Sequence, residues 1–165
     1  MNGTVPNAAR ATLLRAIQIE ARNGIVYDSL ASLFQGYDDS VTDIFLEMAA
    51  EERQHGAELE QRYGERFGAL PSPAAEPTEV IEAPDLEDPE ALIFDSMTIE
   101  QALEAGLRAE EAAREFYIRE VERTSDPELQ KLYRELGEFE ENHVRRLQEK
   151  LFEKRRPKDS TLRSS

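Results

Sequence analysis

The chain holds two histidines, and each closes the same short pattern: Glu52 to His55 in EMAAEERQHGAEL (47–59) and Glu140 to His143 in GEFEENHVRRL (137–147). On a helix, residues three apart share a face, so each pair points a carboxylate and an imidazole in one direction. Such a mixture of oxygen and nitrogen donors suits iron or manganese. Taken alone, either pair also reads as the solvated face of a Glu-rich helix. Both pairs together, each with another Glu 32 or 30 residues upstream (Glu20 and Glu110), point to a metal centre.

Four elements must position these residues. Helical periodicity runs over about 7–36, 40–67, 98–124 and 126–154, with no β-type alternation. Ser40 to Asp43 forms a capping-box-like start, Thr98 with Gln101 a second, and Asp126 before Pro127 an N-cap followed by Pro at the first helical position. The stretch 71–96 holds five of the eight prolines and many acids, so about 71–97 reads as an extended connection, with Leu86, Ile93 and Phe94 as candidate anchors. Two short turns and one long middle connection predict an all-α, ferritin-like four-helix bundle, with the crossover between the second and third helices. A helix of about 27 residues is about 40 Å long, and about 25 extended residues cover about 80 Å, so the connection reaches. The expected organisation is one domain over 1–156 and a flexible tail over 157–165. The spare length also permits exchange of helix pairs between the chains of a homodimer, the expected assembly.

Steps of three and four trace each buried stripe. They give Leu13, Ile17, Glu20, Gly24, Tyr27, Ala31, Phe34 in the first helix and Val41, Phe45, Met48, Glu52, His55, Leu59 in the second. The third gives Ile99, Leu103, Gly106, Glu110, Ala113, Tyr117, Val121, and the fourth Leu129, Tyr133, Leu136, Glu140, His143, Leu147. Every apolar seam is interrupted near its middle by Glu, and two of them add His. Counted outward from the turns, Glu20, Glu52, His55, Glu110, Glu140 and His143 fall on one level of the bundle.

A buried, unpaired carboxylate costs several kcal/mol even after relaxation. No Lys or Arg stands near these positions in the stripes, whereas two divalent cations would cancel four carboxylates. Tyr27 and Tyr117 each follow a seam Glu by seven residues, making the halves an internal repeat. Tyr27, near the level of Glu52, is placed to hold a ligating carboxylate through its hydroxyl, or else to fill the core with that hydroxyl near water. Glu51, Glu111 and Glu141 lie about 100° around their helices and read as surface groups or as supports of the ligands.

Composition narrows the alternatives. A formal charge of −15 disfavours nucleic acid, and KRRPK (154–158) is the one basic patch, read as a solvated tail. Without Cys there are no disulfides, thiol nucleophiles or rubredoxin-type iron sites within these residues. No apolar run approaches the roughly 18 residues of a spanning helix, so no membrane partner and a cytoplasmic location are expected.

The segments AIQIEARNGIVY, MAAEERQH, AEEAAREFY and FEENH together resemble the rubrerythrin branch of the ferritin-like superfamily. The resemblance implies two iron ions, with manganese as the other candidate, bound by Glu20, Glu52, His55, Glu110, Glu140 and His143. It also implies redox chemistry with peroxide or dioxygen. Peroxidase-type rubrerythrins carry a further Glu one turn after the third-helix ligand, where this chain has Ala113, and a Cys-bound iron domain that this chain lacks. Electrons would therefore come from an external donor protein. The competing functions are ferrous iron oxidation and handling, and a metal-stabilised helical module that binds a partner.

Overall fold

The computed structural model describes residues 4–71 and 97–157, with side chains from residue 7 onward in the first helix. Four helices follow in order: α1 Thr4–Phe34, α2 Asp39–Phe67, α3 Ile99–Arg123 and α4 Pro127–Arg155. Among the described residues there is no strand. The candidate anchors Leu86, Ile93 and Phe94, and the tail from 158 on, lie outside the described residues.

Local chemistry sets the helix ends. At α3, Thr98 accepts from the Gln101 N–H at 3.1 Å while the Gln101 side chain accepts from the Thr98 N–H at 2.9 Å, the reciprocal capping box expected there. Asp126 caps α4 by accepting from the Glu128 and Leu129 N–H groups, with Pro127 at the start. The start of α2 differs from expectation. Asp38, not Ser40, is the N-cap: its carboxylate accepts from the Val41 N–H at 3.1 Å and from the Ser40 hydroxyl at 2.8 Å. A carboxylate accepts more strongly than a hydroxyl and interacts better with the helix dipole. Gly36, with φ 78°, supplies the left-handed residue that turns α1 into α2.

Side-chain pairs fix the topology. Thr12 meets Glu120 and Tyr117 meets Glu20, so α1 and α3 are antiparallel neighbours. Arg66 meets Asp126 while Lys154 meets Asp38, so α2 and α4 are antiparallel neighbours too. With α1 against α2 and α3 against α4, α2 and α3 run parallel on a diagonal. The end of α2 and the start of α3 therefore lie at opposite ends of the bundle, the ferritin-like arrangement. The basic patch is partly absorbed by this packing, since Lys154 pairs with Asp38 and Arg155 with Glu100 and Glu104.

The core divides into two apolar clusters. One gathers Tyr27, Leu30, Phe34, Val41, Phe45, Met48, Leu103 and Leu147, and the other Leu13, Leu59, Tyr63, Phe116, Tyr117, Leu129, Tyr133 and Leu136. Ile17, Ile99 and Val121 flank these clusters and are only partly buried. A polar layer separates them.

Candidate metal centre

That layer contains Glu20 from α1, Glu52 and His55 from α2, Glu110 from α3, and Glu140 and His143 from α4. The four carboxyls are 0% exposed, His55 5% and His143 1%, so the helices have taken ionisable groups fully out of water. Ligating atoms of Glu20, Glu52, His55 and Glu140 lie within 4.8 Å of one another, and so do those of Glu52, Glu110, Glu140 and His143. Glu52 and Glu140 belong to both groups. The structure thus brings together all six residues singled out by spacing.

The Nδ1 atoms face the centre. His55 Nδ1 is 3.4 Å from Glu20 Oε2. His143 Nδ1 is 3.0 Å from Glu52, 3.3 Å from Glu110 and 3.6 Å from Glu140. Both oxygens of Glu52 and of Glu140, Glu20 Oε2 and His55 Nδ1 nevertheless have no directed hydrogen bond. The 3.0 Å approach of Glu52 to His143 is therefore an ionic contact rather than an aligned bond. Buried polar atoms in folded proteins are ordinarily paired. Six unpaired ligand atoms, from Glu20, Glu52, Glu140 and His55, converge on one space, and with Glu110 and His143 beside them the four carboxylates and two imidazoles fit a pair of divalent cations of the iron or manganese type.

The tyrosines complete the layer. Tyr117 donates its hydroxyl proton to Glu20 Oε1, and Tyr27 donates to Glu110 Oε1 while lying 3.3 Å from the Gly106 carbonyl. Tyr27 therefore holds Glu110 across the bundle, not Glu52, because α3 rather than α2 faces its hydroxyl. Burial, then the Glu110 charge, pushes the Tyr27 phenol well up, and burial with Glu20 does the same for Tyr117. Both hydroxyls keep their protons and act as donors.

Electrostatics sort the carboxyls. Burial, reinforced by the neighbouring Glu110 and Glu20 charges, outweighs His143 and raises Glu52 well above the carboxylate range. Burial and the Glu110 charge do the same to Glu140. For Glu20, burial is overcome by its close contacts with His55 and Glu52 and by the Tyr117 hydroxyl, and its carboxyl is lowered. Burial opposes a charged His143, yet its contacts with Glu110, Glu140 and Glu52 raise its value. Without metal the layer thus shares protons among its members, and cations would displace them.

Two contacts lay outside the reach of the seam count. Glu51 accepts from His143 Nε2 across 2.6 Å, and Arg146 grips both Glu51 oxygens at 3.1 Å. Burial works against ionised Glu51, but His143 and Arg146 outweigh it and lower its value. The other is Phe139, whose ring centroid lies 4.6 Å from that of His55. Glu111 stays at the surface side of α3, and Glu141 pairs with Arg114 at 2.6 Å.

Among the described residues no helix is long and apolar enough to cross a membrane. Among curated proteins no match to the chain is found. Its fold is similar to a solved hypothetical protein from Pyrococcus furiosus, 24% identical, TM-score 0.67, over 90% of this chain and 92% of that one. It is likewise similar to an uncharacterized conserved protein from Magnetospirillum magnetotacticum MS-1, 25% identical, TM-score 0.67, over 88% and 95% of the respective chains. The sequence profile of the rubrerythrin family matches residues 11–151, which span the whole polar layer and both apolar clusters. The match covers well over half of the chain, and the chain belongs to the rubrerythrin family.

Proposed function

We propose that the chain is a non-haem di-iron oxidoreductase that reduces peroxide or dioxygen with electrons from an external donor protein. One observation carries this reading: two overlapping donor groups share Glu52 and Glu140. Glu20 and His55 would hold one ion and Glu110 and His143 the other, with Glu52 and Glu140 common to both. When bound, the iron pair supplies the electrons that reduce a small oxidant.

The chain's own residues supply the rest. Tyr117 and Tyr27 each occupy one oxygen of Glu20 and Glu110, leaving the other toward the imidazoles. Burial of all six side chains excludes bulk water, which strengthens every electrostatic contact in the layer. The 165 residues contain no Cys, so electrons reach the layer from outside them.

Anaerobic loading with ferrous iron should give two ions per chain by elemental analysis, one for each donor group. Hydrogen peroxide should then produce the charge-transfer absorption of a ferric pair. A ferrous protein that neither peroxide nor dioxygen oxidises would overturn the reading.

Ala113 favours a second reading. It is 2% exposed and fills the position where peroxidase-type rubrerythrins carry a further Glu. In that reading ferrous iron is the substrate, oxidised and passed on. Uptake well beyond two ions per chain, or assembly into a closed shell, would support it.

A further inference from the structure

We propose that Glu51 and Arg146 make the two halves of the centre unequal, the His143 half being the tighter, first-filled metal position and the His55 half, capped by Phe139, the weaker and exchangeable one. This rests on the metal reading above and adds to it an order of filling.

The repeat that places the ligands is broken beside them. The residue before Glu52 is Glu51, whereas the residue before Glu140 is Phe139; three after His143 stands Arg146, and three after His55 stands Glu58. Because α2 and α4 are antiparallel neighbours, Glu51 and Phe139 each face the other helix's histidine. Glu51 reaches His143 Nε2 at 2.6 Å, and Phe139 lies against the His55 ring at 4.6 Å.

The consequences differ. An imidazole that ligates through Nδ1 carries its proton on Nε2, and a carboxylate accepting that proton fixes the tautomer, orients the ring and raises the basicity of the ligating nitrogen. His143 has this support. Glu51 is itself held, since Arg146 Nη1 donates to both its oxygens at 3.1 Å while Nη2 donates to Glu47 at 2.7 Å. His55 Nε2 has no partner among the described residues, and a phenyl ring offers no lone pair to accept its proton. His55 lies against Phe139, which is 48% exposed, whereas His143 is 1% exposed and flanked by Glu51 and Arg146.

The test is anaerobic titration of the full chain with Co2+, followed by ligand-field absorption and calorimetry. Two steps are expected, separated by about 10–100-fold in affinity, the usual worth of such a support. Glu51→Gln should weaken the first step by about that factor and draw the steps together, while Phe139→Leu leaves the first step unchanged. The Glu51 side chain is 40% exposed, so the variant keeps its fold, which circular dichroism checks. Should E51Q not fold, the spacing of the two steps in the unmodified chain decides. Equal steps there, or an E51Q that weakens only the second, overturn the inequality and leave the metal reading standing. No Co2+ binding at all overturns both.

Discussion

Replacing Glu140 by Met should stabilise the metal-free protein and remove most of its response to metal. Glu140 is fully buried, and neither carboxyl oxygen has a directed hydrogen bond. A buried polar group left unsatisfied costs about 1–3 kcal/mol. Met is of similar volume, and volume-conserving swaps in a core cost under about 1.5 kcal/mol. The net gain without metal is then about 1 kcal/mol, a rise in Tm of about 2–4 °C for a chain of this size. Metal acts oppositely. In the unmodified chain, each site held at one hundred times its Kd adds about 2.7 kcal/mol, so two sites add about 5 kcal/mol, or roughly 10–20 °C. E140M removes an atom common to both donor groups, so both increments should shrink. Thermal melts followed by circular dichroism, first with chelator and then with excess Mn2+, read both quantities. A metal-free E140M that melts lower than the parent, or one that keeps the full Mn2+ shift, would refute the argument that this carboxyl is present for a cation.

Tyr117→Phe removes the hydroxyl that donates to Glu20; it should cost about 1.5–3 kcal/mol in urea unfolding and weaken Mn2+ binding about tenfold, and an unchanged affinity would deny the support role. Gly106→Ala would bring a methyl to 3.2 Å from Tyr27 Cε1 and 3.3 Å from Leu147 Cδ1. Overpacking of about 1–3 kcal/mol exceeds the helix-propensity gain of about 1 kcal/mol, so a net loss is expected in urea, while Gly64→Ala, with nothing within 4 Å, should gain up to about 1 kcal/mol. Lys154, with Ser40 and the Val41 N–H, outweighs burial and lowers Asp38 from 3.8 to about 2. A depressed folded value means that this stabilisation is present above 3.8 and fades as pH falls toward 2, so Lys154→Met should flatten that part of a Tm-against-pH curve.

Much of this was readable in advance because the seam is a one-dimensional property. A Glu in an apolar stripe is conspicuous on its own helix, and Glu20, Glu52, Glu110 and Glu140 stood out before any neighbour was known. Caps are equally local, which is why Thr98 with Gln101 and Asp126 with Pro127 were legible. Asp38, Asp39 and Ser40 are three adjacent capping residues, and only the backbone turn after Gly36 decides among them. Contacts between helices need the neighbour map. Tyr27 chooses Glu110 because α3 lies across from α1, and Glu51 matters because α4 lies across from α2. No count along a single helix contains that information.

The division of the core explains how one short bundle can carry both tasks. Leucines, phenylalanines and tyrosines are gathered in two clusters, one at each end, so apolar burial holds the four helices together on both sides of the polar layer. The layer itself opposes folding, since its carboxyls sit in low dielectric with unpaired oxygens. Only a group that binds there offsets this cost, and the offset appears as metal affinity rather than as intrinsic stability. Ligand substitutions should accordingly separate the two properties, whereas changes at Phe45, Leu136 or Leu147 should weaken folding and metal affinity together. The break in the repeat at Glu51 and Phe139 then acts where it costs folding least, at the rim of the layer, where Phe139 and the Glu51 side chain are part exposed. The two halves carry the same ligand types, and the difference between them lies at that rim.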